Sequence, residues 1–246
     1  MSKNLKIRLD QLLVNKKLVD TKTKAQSMIM AGQVLVNDKI VTKSGSTFLE
    51  ECKIIIKKLH PDWVSRGALK LLQAIKIFKI DISDKVCLDI GSSTGGFTEV
   101  LLSNKAKKIF AVDVGTNQLH EKLRREKKII SIENYNAKYL DSKIITEKID
   151  LLVCDVSFIS LKKVIYPSLK LLSKKSEIIA LIKPQFETQK KHLRKGVVKD
   201  VLVHNEICDN IKNWFIKSCN ANVIGIIPSP ITGPKGNLEF LIYCHL

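Results

Sequence analysis

Leu88-Asp89-Ile90-Gly91-Ser92-Ser93-Thr94-Gly95-Gly96-Phe97-Thr98 is the stretch on which the fold turns. An apolar strand runs into a glycine-rich turn and then into a helix. Such a turn lets the backbone approach a ligand closely, and the helix N-terminus favours negative charge. A glycine loop after a strand is common, so the spacing carries the information. Here it is Gly-x-x-x-Gly-Gly, whereas dinucleotide binders use Gly-x-Gly-x-x-Gly and triphosphate binders carry Gly-Lys-Ser/Thr. The departure favours a nucleoside ligand without pyrophosphate, such as S-adenosylmethionine. Gly91, Ser92, Ser93, Thr94, Gly95, Gly96 and Phe97 are expected to hold it, with Asp89 bracing the turn or meeting the methionine part. Asp113, ending the next strand in Ala111-Val112-Asp113-Val114-Gly115, can accept both ribose hydroxyls, although an acid here also serves as a loop cap. Asn136, after the third strand, is placed for adenine.

Outward from this stretch, strands and helices alternate, which predicts a mostly parallel sheet covered on both faces. Strands are expected at residues 86–90, 109–112, 129–132, 151–154, 178–182, 222–227 and 238–244. Helices are expected at 67–78, 95–104, 116–124, 161–172 and 202–219. The last strand follows a Pro/Gly loop and reads as a hairpin-like, antiparallel edge. The fold class is therefore α/β, a Rossmann-like seven-stranded sheet over residues 66–246.

Residues 5–58 read differently, as a small α+β module. Arg8-Leu9-Asp10-Gln11-Leu12-Leu13-Val14 puts apolar groups on one helical face, and Asp20-Thr21 can cap a second helix that stops at Gly32. Short strands at 33–36 and 39–41 flank a turn at Asn37-Asp38, and another follows at 53–56. Lys16, Lys17, Lys22 and Lys24 cluster near the helix junction. A linker is expected at 59–65, where Pro61 blocks helix continuation.

The chain carries 42 Lys and Arg against 24 Asp and Glu, a formal net charge of +18. That balance attracts polyanions; a lysine-rich surface of no special purpose would look similar, so charge is a modest argument. Six widely scattered cysteines show no metal-ligand spacing, and no metal is expected. The first residues do not form a signal-peptide core, and no apolar run is long enough to span a bilayer. These features imply a reduced, cytoplasmic protein without a membrane partner.

Four polar residues stand where isolation would be uncomfortable. Asp155 and Lys183 end the fourth and fifth strands, where both tips face the crevice beyond Gly91. Lys70 lies on the opening helix and Glu239 at the start of the last strand. At these positions the chain resembles the FtsJ-like RNA ribose methyltransferases and, over nearly its whole length, the haemolysin-labelled TlyA family. The resemblance rests on Ser65-Arg66-Gly67-Ala68-Leu69-Lys70-Leu71, Ser93-Thr94-Gly95-Gly96-Phe97-Thr98, Asp155-Val156-Ser157-Phe158-Ile159-Ser160 and Lys183-Pro184-Gln185-Phe186-Glu187. Ser92 stands where Ala is more usual. The N-terminal module resembles the RNA-binding domain named for ribosomal protein S4, through Arg8-Leu9-Asp10 and the later Gly32-Gln33-Val34-Leu35-Val36-Asn37.

The resemblance implies a class I methyltransferase fold, S-adenosylmethionine as cofactor and ribosomal RNA or ribosomal subunits as partner. It also implies a catalytic set of Lys70, Asp155, Lys183 and Glu239, with Asp155 also beside the cofactor. The residue types suit that chemistry. A ribose hydroxyl barely ionises at neutral pH, so a base must take its proton during attack. Lys183 is the expected base, its ammonium form disfavoured by Lys70 and partial burial. Arg8, Lys16, Lys17, Lys22, Lys24 and Lys195 are expected to meet RNA phosphates. Two competing readings are a haemolysin or pore-forming protein, and an RNA-binding assembly factor with a dead catalytic domain.

Overall fold

The structure is a computed structural model that describes residues 6–19, 21–30, 32–56 and 63–246. Asp20, the expected helix cap, and residues 59–62 of the expected linker lie outside the described residues. The chain divides into two compact units, Met1–Asp62 and Trp63–Leu246.

The smaller unit contains β1 (Lys6–Arg8), α1 (Leu9–Asn15), α2 (Lys22–Met30), β2 (Val34–Val36), β3 (Lys39–Val41), β4 (Thr47–Leu49) and β5 (Ile54–Ile56). Leu9, Leu13, Val19, Ala25, Ile29, Val34 and Val36 form its core. β2 pairs antiparallel with both β3 and β5. The hairpin turn uses Asn37 and Asp38 at φ 48° and 64°, the left-handed pair that a two-residue turn demands. Arg8 ends a strand and does not open the helix, because β1 pairs with β4, a short strand absent from the sequence reading.

Asp10 explains the Arg-Leu-Asp signature. Its carboxylate is fully buried and takes both arms of the Arg8 guanidinium, at 3.1 and 2.8 Å, together with Gln26 of α2 at 2.9 Å and the Gln11 backbone N–H at 2.9 Å. One carboxylate thus fastens α1 to α2 and starts α1.

The larger unit runs α3 (Ala68–Phe78), β6 (Val86–Ile90), α4 (Gly96–Ser103), β7 (Lys108–Val112), α5 (Glu121–Arg124), β8 (Ile129–Ile132), β9 (Ile149–Cys154), α6 (Lys162–Ser168), β10 (Leu172–Ile182), α7 (Pro184–Glu187), α8 (Val201–Cys219), β11 (Asn222–Pro228) and β12 (Phe240–His245). The sheet order is β11-β12-β10-β9-β6-β7-β8. β6 to β10 are mutually parallel and β12 is antiparallel to both neighbours. Alternate residues of β6 feed opposite layers: Val86, Leu88 and Ile90 join one core cluster and Cys87 the other. The chain passes from β6 to β7 on one side and returns to β9 on the other. The switch point therefore opens at the tips of β6 and β9, where open α/β sheets bind ligands.

The expected antiparallel edge is corrected. β12 does form a hairpin with β11, but it inserts between β10 and β11, and β11 is the edge. Gly225, at a register shift, and Pro228 suit β11 to the edge, and the interior place of β12 buries Leu241, Ile242, Tyr243 and Cys244, while β11 is exposed or half-buried throughout. The helix expected at 116–124 shortens to α5, because Glu133 accepts from the Asn117 and Leu119 N–H groups and His120 caps the start. β12 begins at Phe240, which leaves Glu239 just before it. No helix among the described residues is long and apolar enough to cross a membrane.

The Arg8 guanidinium holds the Asp10 carboxyl well below the usual carboxylate range, against the opposing effect of burial. A depressed folded value contributes stability that is fully present above the unfolded value of ~4 and is lost as pH falls below that and through the folded value. Protection of the α1 and α2 amides, measured against their intrinsic exchange rates in the full chain, should therefore fall below about pH 4. Asp10→Asn should lose that acid-labile component and cost about 1.5–3 kcal/mol at neutral pH.

Candidate active site

Two adjoining cavities open at the switch point. One, of about 400 Å³, is lined among others by Gly91, Val112, Asp113, Asn136 and Phe158. The other, of about 500 Å³, is lined among others by Arg66, Lys70, Thr94, Phe97 and Lys183. Gly91, Ser93, Asp155 and Ser157 line both. The first has the size and mixed lining of a nucleoside site.

The glycine turn is built without side chains for specific reasons. Gly91 has φ 82°, and a Cβ there would lie 2.6 Å from the Asp155 carbonyl oxygen. Gly95 has φ 101°, and its Cβ would meet Leu123 at 2.3 Å. Backbone therefore passes close to the tip of β9, and the α4 helix packs tightly on its neighbours. Gly95 itself is absent from the lining of both cavities, whereas Gly91, Ser92, Ser93, Thr94, Gly96 and Phe97 contribute to it.

Asp113 braces this loop. Its two oxygens accept from Ser93 N at 2.8 Å and Gly115 N at 2.7 Å. Each oxygen keeps a second lone pair, so the cap and a ribose contact are compatible. Asn136 is exposed at the same cavity and accepts from Lys138 N. Asp89 is different: it is fully buried, lines neither cavity and accepts from Thr98 Oγ1 at 2.6 Å. Of the two roles expected for it, the structure displays the brace. Burial pushes its carboxyl up to about 7, with Thr98 opposing and Asp155 adding to the rise.

Lys70, Asp155, Lys183 and Glu239 meet at the second cavity. Lys70 Nζ lies 2.8 Å from Glu239 Oε2 and 3.3 Å from Asp155 Oδ2. Lys183 Nζ lies 2.6 Å from Asp155 Oδ1, yet that oxygen has no aligned hydrogen bond, so the contact is a side-on ion pair. The aligned bond of Lys183 goes to Ser157 Oγ at 2.8 Å. One carboxylate therefore contacts both lysine amines. Both lysines and Glu239 are buried. Gln185 Nε2 donates to Glu239 at 3.4 Å, and Gly233 leaves room for that carboxylate.

Several contributors were invisible as such in the sequence: Ser157, Arg66, Gln185 and the loop at 231–234. Ser157 and Gln185 lie two residues beyond Asp155 and Lys183, inside the stretches that carry the family resemblance, which gave them no role of their own. Glu187 is a further one. Its half-buried carboxylate accepts from Ser160 Oγ at 2.6 Å and Leu161 N at 2.7 Å, and burial raises its pKa. Among the RNA-facing candidates, Lys16, Lys17, Lys22 and Lys195 are exposed. Arg8 is committed to Asp10, though half its side chain remains exposed. The side chain of Lys24 lies outside the described residues. No His/Cys/Asp/Glu group that could hold a metal occurs among the described residues.

Lys70→Met would leave the Glu239 carboxylate buried without its cation, at a cost of about 3–5 kcal/mol. The melting temperature should fall by roughly 6–20 °C, and by less in Lys183→Met, where Asp155 keeps Lys70. Asp89 gives the opposite sign from Asp10. With its folded value raised, the stability it contributes is greatest below the unfolded value of ~4 and falls as pH rises toward 7. Asp89→Asn should remove that decline, so the variant gains on the wild type in melts between pH 5 and pH 8, by an amount on the order of a few kcal/mol.

Residues 63–245 match the FtsJ-like methyltransferase family and residues 7–51 the S4 domain. YqxC of Bacillus subtilis (strain 168), provisionally named an rRNA methyltransferase, is 41% identical over 98% of this chain and 86% of its own length. The 23S rRNA (cytidine-2'-O)-methyltransferase TlyA of Campylobacter jejuni is 39% identical over 94% of this chain and 96% of its own. A solved structure from Streptococcus thermophilus that carries the hemolysin label superposes with a TM-score of 0.76 at 35% identity, over 98% of this chain and 89% of its own. With its glycine turn, nucleoside-sized cavity and four-residue cluster, this chain belongs to the FtsJ-like methyltransferases that use S-adenosylmethionine, and it carries an S4 domain ahead of the catalytic one.

Proposed function

We propose that this protein methylates a ribose 2′-hydroxyl of ribosomal RNA, with Lys183 accepting the hydroxyl proton. The observation that supports it is the meeting of Lys70, Asp155, Lys183 and Glu239 at the wall of a cavity beside the glycine turn. S-adenosylmethionine, when bound, supplies a methyl carbon on a positively charged sulfur. The backbone of Gly91 and Ser93, with Asp113 and Asn136, would hold its nucleoside part in the smaller cavity.

The chain's own residues divide the remaining work. Asp155 lines both cavities, so its charge favours a cation in the first while it holds Lys183 at the wall of the second. Lys183 takes the proton as the oxygen attacks. Lys70 tethers Asp155 and Glu239. Arg66 and Lys195 contribute positive charge toward phosphates of the entering strand. Lys16, Lys17 and Lys22 of the S4 domain grip the RNA backbone, a contact that orients more than it specifies. The partner is then a ribosomal subunit or its RNA, encountered in the cytoplasm.

The test is transfer of isotope from labelled S-adenosylmethionine to purified ribosomal subunits, followed by mapping of ribose methylation. Lys183→Ala should lose about 10²–10⁴ in kcat while calorimetry shows S-adenosylmethionine still bound. Transfer at the wild-type rate by that variant would refute the assignment.

A further inference from the structure

Lys183 is held by two neighbours of different kinds. Asp155 supplies charge from a side-on approach at 2.6 Å, an attraction that hardly changes as the amine rotates about its last bond. Ser157 supplies an aligned hydrogen bond at 2.8 Å, the only one Lys183 Nζ makes among the described residues. Direction at the amine therefore comes from the hydroxyl. A neutral amine has two N–H groups and one lone pair, and only the rotation that aims the lone pair at the entering hydroxyl is productive.

We infer that Ser157 is a positioning residue for methyl transfer: its hydroxyl oxygen accepts one N–H of Lys183 and turns the lone pair toward the cavity. The inference rests on reading Lys183 as the proton acceptor. In the step it serves, the ribose O–H bond breaks and its proton goes to Lys183 Nζ. The oxygen–methyl bond forms as the sulfur–methyl bond breaks, and the Ser157 O–H is unchanged.

The position of Ser157 is fixed from two sides. It lines both cavities, next to Phe158, whose backbone takes φ 64°. The Phe158 ring rests against Phe186, with centroids 4.9 Å apart. Glu187 then binds Ser160 and Leu161 at the far end of the same loop. Phe186 and Glu187 belong to α7, which begins immediately after Lys183. The loop that carries the hydroxyl and the turn that carries the amine are thus tied together by a ring contact and a carboxylate. A strained backbone kept by such surrounding contacts is typical of a working site.

The experiment compares Ser157→Ala, Ser157→Thr and Lys183→Ala in the full chain, with ribosomal subunits as substrate. Ser157 is exposed at the cavity, so its variants should melt at the wild-type temperature. Ser157→Ala should lose roughly 10- to 100-fold in kcat, with KM for the subunits and affinity for S-adenosylmethionine unchanged. Ser157→Thr, which restores the hydroxyl, should recover most of that loss. Wild-type kcat in Ser157→Ala, a loss confined to KM, or a folded Ser157→Thr as slow as the alanine variant would each overturn the inference. Wild-type transfer by Lys183→Ala would overturn the proton-acceptor reading beneath it instead.

Discussion

The Asp155 carboxylate, shared between two buried lysine amines, is the constraint on which the rest of the catalytic domain depends. Taking an ion out of water costs several kcal/mol even after relaxation, and here four ionisable groups are gathered in one place. They are tolerable only together. Lys70 is saturated by Glu239 and leans on Asp155 at the longer distance of 3.3 Å, while Lys183 has Asp155 alone for a counter-ion. The charges balance in sum and not in detail: one amine is locked and the other is left partly compensated at the cavity wall. That inequality suits the role proposed for Lys183.

The sheet is arranged to deliver these four groups from four separate elements. Asp155 and Lys183 leave adjacent parallel strands at their carboxyl tips. Glu239 arrives because β12 inserts antiparallel beside β10 in the register that pairs Ile182 with Phe240, which sets residue 239 opposite residue 183. Lys70 comes from α3, packed on the same layer as β12. The inward placement of β12 is thus what completes the cluster. Were β12 the edge strand, Glu239 would sit one strand spacing away from the amines it serves.

The same step shows what the sequence could convey. The strand, turn and helix at 88–98 and the strand-tip residues were legible because apolar runs, glycine spacing and residue type carry them locally. The place of β12 was not, because a run of apolar residues is equally consistent with an edge or an interior strand until its competitor is known. Asn222–Pro228 and Phe240–His245 are similarly apolar, and Gly225 and Pro228, which suit an edge, count against β11 only when both strands are known to share a hairpin. Asp89 was harder still. A carboxylate before a glycine turn looks like a ligand group, yet the two-residue alternation of β6 directs it into the core against Thr98, where burial and not a ligand governs its proton. Ser157 and Glu187 were unreadable for another reason. A serine or glutamate in a polar loop acquires meaning only from the partner that the fold brings to it.

The S4 domain makes the complementary point about signature residues. On charge alone Arg8 is a natural candidate for RNA contact and Asp10 is not. The structure spends them on each other: Asp10 lies at the junction of α1 and α2 and binds Arg8, Gln26 and the Gln11 amide at once. What this ion pair leaves for a polyanion is the exposed charge around the helix junction, Lys16, Lys17 and Lys22, which no described carboxylate engages. A motif fixed by folding and a surface fixed by function thus occupy the same short helix pair. On the proposed reading, Asp10 holds together the two helices that present these lysines. Phosphate contacts of this kind fix register and orientation, and they leave selection of the reacting hydroxyl to the shape of the cavity beside Lys183.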